Sequence, residues 1–216
     1  MPNRVINKLK NSSSRKEVAM HFNCDYQKSS QALNYFAIKS GGKINKMKAL
    51  KLIFLADRYH LRKYGRLITN DEYIAMKHGP VPSTSKDIAE SNDFLEDAIK
   101  EYSLRFIQPV NNLTLSSVGA VDSDVLSESD LEALKFAWDT FGGLTQFELR
   151  DLTHFYPEWR KFEESLKYSS CLRMDLLDFL KDPDASVNKC FELTVEDKKT
   201  RHEQLIESAH IEALWK

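Results

Sequence analysis

The chain has 216 residues, 42% hydrophobic and 29% charged, the composition of an ordinary globular protein long enough for one domain and an extension. No stretch has the length and polarity of a membrane span, and the N-terminus lacks the apolar segment of a signal peptide, so a cytoplasmic protein is expected. The formal net charge is only −1, yet the first 66 residues carry 15 Lys and Arg against three acids, an excess of +12, while the remainder carries 16 basic and 29 acidic residues. Such polarity reads either as contact with nucleic acid or an acidic partner, or as two halves that attract each other inside one fold. Cys24, Cys171 and Cys190 lack CxxC spacing, which argues against zinc or a disulfide framework and leaves reduced, buried thiols as the expectation.

Residues 1–24 hold few large apolar side chains and many Lys and Arg. They read as a basic, loosely ordered extension with one short helix near Arg15 to Phe22, and as the segment best suited to touch a phosphate backbone. Gln27 to Ser40 has helical spacing and stops at Gly41-Gly42. From Met47 the apolar positions Leu50, Phe54 and Leu61, widened by Leu52, Ile53, Leu55 and Ala56, predict a helix through the middle of a core. Gly65, just past the basic turn His60-Leu61-Arg62-Lys63-Tyr64, is its stop.

A turn at Thr69-Asn70-Asp71 and a short strand follow. His78-Gly79-Pro80-Val81-Pro82 reads as irregular, because two prolines restrict the backbone. Ser83-Thr84-Ser85 offers N-caps for a helix through Ala89, and Asp93 to Glu101 is a second helical piece. Leu104 to Pro109 and Leu113 to Val118 predict a hairpin, pairing with the strand near Tyr73 in one small sheet. Ser127 opens a helix with Leu131, Leu134, Trp138 and Phe141 on its stripe. Thr145 to Glu148 matches a capping box, and Pro157 suits the first position of the next helix. Arg173 to Lys181 and Thr194 to Trp215 complete the helices. The fold class expected is mainly α (α+β), a compact helical domain with a small inserted antiparallel sheet.

None of the strong catalytic signatures is present: no GxSxG, Walker A, GxGxxG, HExxH or kinase set. The polar set available for chemistry is Asp57, His60, His78 and His154, which makes a metal or hydrolytic site only if the fold gathers it. Each member also has a plainer reading. Asp57 sits on the apolar stripe and must be bonded, by a basic side chain or by backbone N–H groups of the Gly79–Pro82 loop. His60 reads as a helix-end cation, His78 as a turn residue, and His154 as a cap of its own helix.

Two stretches, KLIFLADRYHLRKYGRLITNDEYIAMKHGPVPS and LSESDLEALKFAWDTFGGLTQFELRDLTHFYPEWRKF, resemble in order and separation the two signatures of the Panacea domain, found in SocA-like antitoxins and phage-associated proteins. The resemblance covers roughly Gln27 to Phe162. It implies a domain over 25–182, flanked by the basic extension 1–24 and a C-terminal helical segment 183–216 packing on the same domain. It also implies a non-enzymatic antitoxin without cofactor or metal, whose partner is a toxin encoded by an adjacent gene. The matching motif residues are Asp57, Arg58, Tyr59, His60, Tyr64 and Gly65, then His78, Gly79, Pro80 and Val81, and finally Thr153, His154 and Trp159. The resemblance casts them as shared framework or as partner contacts, with recognition of the particular toxin left to the basic first third or the hairpin. The basic third keeps a second reading open, an operator-DNA-binding autorepressor, and the Asp57 and histidine set a third, a metal-dependent hydrolase; a homodimer is left open beside them.

Overall fold

A helix that is apolar on nearly every side has to lie inside, and here it does. The computed structural model describes residues 23–183 and 192–214; the expected helix near Arg15 to Phe22, most of the basic extension and Cys190 lie outside them. Helix α1 (Tyr26–Lys39) is opened by the Asp25 side chain, which accepts from the Lys28 N–H. Gly41 and Gly42, at φ +82° and +93°, reverse the chain into a short strand β1 (Lys43–Asn45). Helix α2 (Lys46–Tyr64) begins at Asn45, whose side chain accepts from the Lys48 N–H, and ends at Gly65, left-handed at φ +81°. Leu52, Ile53, Phe54, Leu55, Ala56 and Leu61 of α2 are all buried.

Strands β2 (Tyr73–Met76) and β3 (Gly79–Pro82) form an antiparallel hairpin, with Tyr73 opposite Pro82 and Met76 opposite Gly79. The Gly79–Pro82 segment is therefore regular, contrary to the expectation from its prolines. β3 is an edge strand in the order β3-β2-β6. Pro80 and Pro82 alternate with Gly79 and Val81, so the residues without N–H face away from β2 and cost the ladder nothing. The third strand, β6 (Cys171–Arg173), pairs Leu172 with Ala75 and is followed by a short 3-10 helix, Leu176–Leu180. Pairing with β2 takes Arg173 out of the helix expected from there to Lys181. Cys171 on this edge is exposed rather than buried.

Helices α3 (Ser83–Glu90) and α4 (Asp97–Leu104) lead to the hairpin β4 (Ile107–Pro109) and β5 (Thr114–Ser117). This hairpin joins β1, in the order β1-β5-β4, so two small sheets replace the single one expected. Helix α5 (Glu128–Phe141) starts with a reciprocal capping box between Ser127 and Asp130, and α6 (Gln146–His154) with one between Thr145 and Glu148. Pro157 occupies the first turn of α7 (Pro157–Arg160). Helix α8 (Val195–Leu214) buries Leu205 and Ala209 and packs on α2 and the 3-10 helix. The fold is mainly α, with α2 surrounded by α1, α3, α5, α6, α8 and β3.

The start of α3 is capped from a distance. No side chain of Ser83, Thr84 or Ser85 caps it; instead Asp71, thirteen residues before Thr84, accepts from the Thr84 and Ser85 N–H groups at 2.9 and 2.7 Å and from the Ser85 hydroxyl at 2.8 Å. Asp71→Ala strands three buried donors. Urea denaturation should show a loss of about 2 kcal/mol, against about 1 kcal/mol for the local cap Thr145→Ala.

Candidate functional site

Asp57 is fully buried on α2 and, among the described residues, has no cation beside it. Its Oδ1 accepts from the Ile68 and Thr69 N–H groups at 2.7 and 3.2 Å, and its Oδ2 from the Thr69 hydroxyl at 2.5 Å and the Tyr73 hydroxyl at 2.8 Å. Burial pushes the carboxyl up to about 6, while these four hydrogen bonds pull the other way. Asp57 thus holds the 68–73 turn, and not the Gly79–Pro82 segment as expected.

That segment is held by Lys51, six residues earlier on the same helix. Its amine, on a residue only 1% exposed, donates to the Pro80 carbonyl at 2.5 Å. An edge strand turns that carbonyl away from its ladder, so it is free to accept. Burial lowers the amine to about 7. Gly79, at φ +96°, has no room for a side chain: a Cβ there would lie 2.8 Å from both the Lys51 amine and the Thr153 hydroxyl. Thr153 in turn donates to the Arg150 carbonyl at 2.9 Å. Next to it His154 lies flat on Trp159, centroids 3.7 Å apart, and the Trp159 indole N–H donates to the Met76 carbonyl at 2.9 Å. Burial first, then the nearby positive charges of Lys51 and Arg150, push His154 down to about 4, and its buried Nε2 has no hydrogen-bond partner among the described residues. Residues 51, 79–80 and 153–159, far apart in sequence, therefore meet at one node between α2, β3 and α6.

The C-terminal half of α2 carries further buried charge. Arg58 reaches the buried Glu158 at 2.7 Å and the Lys181 carbonyl at 2.8 Å, with its guanidinium over the Tyr156 ring. Arg62 donates to the Phe179 carbonyl at 3.0 Å and pairs with Asp182 at 2.5 Å. His60, expected as a helix-end cation, is instead fully buried and pushed down to about 4 by that burial. Its Nδ1 faces the Arg66 carbonyl at 2.8 Å and its Nε2 the Ser129 hydroxyl at 3.0 Å. Tyr59 and Tyr64 both donate to Glu132 of α5, and Tyr59 stacks on Phe136.

The candidate polar set is split by the fold. Asp57 faces the 68–73 turn and His60 faces α5, while only His154 and the exposed His78 lie together beside β3. Among the described residues no group of three or more His, Cys, Asp or Glu is placed to hold a metal ion. Lys51, Arg62, Asp71, Asp130 and Glu158 do structural work that residue spacing did not single out. The available signal was a charge inside an apolar run, at Lys51. Asp71 and Glu158 carried none, because their partners are remote.

The family model described as antitoxin SocA-like, Panacea domain, matches residues 50–160. No curated protein and no solved structure gives a significant match.

Two outcomes check the buried charges of α2. Asp57→Ala leaves the Ile68, Thr69 and Tyr73 donors unpaired, and urea denaturation should show a loss of about 3 kcal/mol or more. Lys51 has a folded-state value below its unfolded one, so the unfolded chain holds the extra proton between about 7 and 10.5. Stability of the parent relative to Lys51→Met should then rise with pH across that window, by at most about 1.4 kcal/mol per unit.

Proposed function

The chain belongs to the SocA-like Panacea antitoxin family, and from that premise we propose that it neutralises a toxin encoded beside it by direct protein–protein binding. The observation that carries this reading is the family match over residues 50–160, which spans both ends of the node between α2, β3 and α6. The motif side chains support it by what they touch. Asp57, Arg58 and Trp159 each bond to another segment of the same chain, as does Lys51 beside them, which suits a framework that presents a surface to a partner. Neutralisation by binding needs an interface on the order of 1,600 Å² in total, and the outer faces of the helices and hairpins supply the surface for it.

The basic first third bears on the second reading, operator-DNA binding. Of its ten Lys and Arg from Lys28 to Arg66, five pair with carboxylates of the later half: Lys28 and Arg66 with Asp130, Arg58 with Glu158, Arg62 with Asp182 and Lys63 with Glu132. Lys48 and Lys51 donate to backbone carbonyls. Much of that positive charge is thus answered within the fold. What favours DNA is the segment 1–22, with five Lys and Arg against one Glu.

Expressing the neighbouring reading frame from a tight promoter should arrest growth, and co-expression of this protein should restore it, with the two proteins co-purifying. Rescue without co-purification, together with salt-sensitive binding to the upstream DNA, would favour the autorepressor instead.

A further inference from the structure

Resting on the antitoxin reading, we infer that the loop between α3 and α4, with Phe94 at its tip, is a docking surface for a basic face of the toxin that carries an aromatic-sized apolar pocket. Phe94 is 97% exposed, its ring standing in water while the next residue, Leu95, packs against the core. The loop that carries it is tied down. Ser91 ends α3 in the left-handed conformation, and the Asn92 side chain donates to Asp87 at 3.0 Å and accepts from the Phe94 N–H at 3.1 Å. The Leu95 N–H reaches the Asn92 carbonyl, and Lys100 reaches the Asp93 carbonyl at 3.1 Å. An aromatic ring with two side-chain torsions, held out on a pinned loop, loses little freedom when a pocket closes over it. Such residues are the common anchors of protein interfaces.

The charge around the ring specifies the occupant. Residues 86–101 carry Asp87, Glu90, Asp93, Glu96, Asp97 and Glu101 against Lys86 and Lys100. Lys86 is already paired with Glu90, and Lys100 lies 3.7 Å from the fully exposed Asp93, so the exposed Glu96, Asp97 and Glu101 carry the surplus negative charge. A partner that buries Phe94 brings its own surface against this ring of carboxylates, so that surface has to be basic. An acidic one would be repelled, and a neutral one would leave the carboxylates desolvated without a counter-charge.

The test uses full-length protein and the toxin from the neighbouring gene. Phe94→Ala removes a side chain that packs on nothing, so its melting temperature should match the parent's, while its Kd for the toxin should weaken by about tenfold or more. The double reversal Asp93→Lys with Glu101→Lys should slow association by about tenfold at low salt, with the deficit shrinking as salt is added. Photo-crosslinking from Phe94→p-benzoylphenylalanine should label the toxin. Parent-like binding by both variants overturns this docking surface and leaves the antitoxin reading intact. Crosslinks to residues 1–22 of the same chain, or to a second copy, overturn it by naming another occupant. If the parent itself neither binds the toxin nor rescues growth, the antitoxin reading falls and this inference falls with it.

Discussion

Helix α2 takes Lys51, Asp57, Arg58, His60 and Arg62 out of water, and the segments around it are arranged to answer them. A buried charge without a partner costs several kcal/mol, so each of these groups dictates where a later piece of chain must pass. Asp57 gathers the 68–73 turn, Lys51 the edge strand β3, and Arg58 and Arg62 the stretch from Phe179 to Asp182. His60 ties the end of its own helix to the start of α5. Several of the acceptors are backbone carbonyls of short or irregular segments, which have few regular partners of their own. The same bonds therefore satisfy the buried side chains and the loop backbone together.

The charge asymmetry follows from this arrangement. A first third with an excess of +12 could not fold on itself without self-repulsion. The later half supplies Asp130, Glu132, Glu158 and Asp182 at the points where α2 and its neighbours emerge. Asp130 serves three ends at once: it closes the capping box of α5, pairs with Lys28 of α1 and pairs with Arg66 beyond α2. Electrostatic pairing and helix capping are here one contact, which draws α1, α2 and α5 to a common corner.

On the antitoxin reading, the interior and the surface have different tasks. The node of Lys51, Gly79, Thr153, His154 and Trp159 is close-packed, with no room for a Cβ at Gly79, so changes there disturb the fold before they disturb a partner. The exposed tip of a surface loop, such as Phe94 between α3 and α4, is under no such packing constraint and can vary with the partner.

Whatever depends on neighbours in the chain was legible in the amino-acid sequence. The central helix, its stop at Gly65, the helix start at Ser127, the capping box at Thr145, the 104–118 hairpin and the final helix follow from periodicity, capping chemistry and the left-handed tolerance of glycine, all of which act within a few residues. So did the demand that Asp57 be bonded, though not by what. Only the tertiary structure decided what depends on distant partners. It made a strand of Gly79–Pro82 by giving its prolines an outer edge. It split the strands into two sheets, capped α3 from Asp71, and turned the lysine inside an apolar run into the support of β3. The reason is physical: a local pattern states that a buried group needs a partner, but only packing brings the partner within hydrogen-bond range.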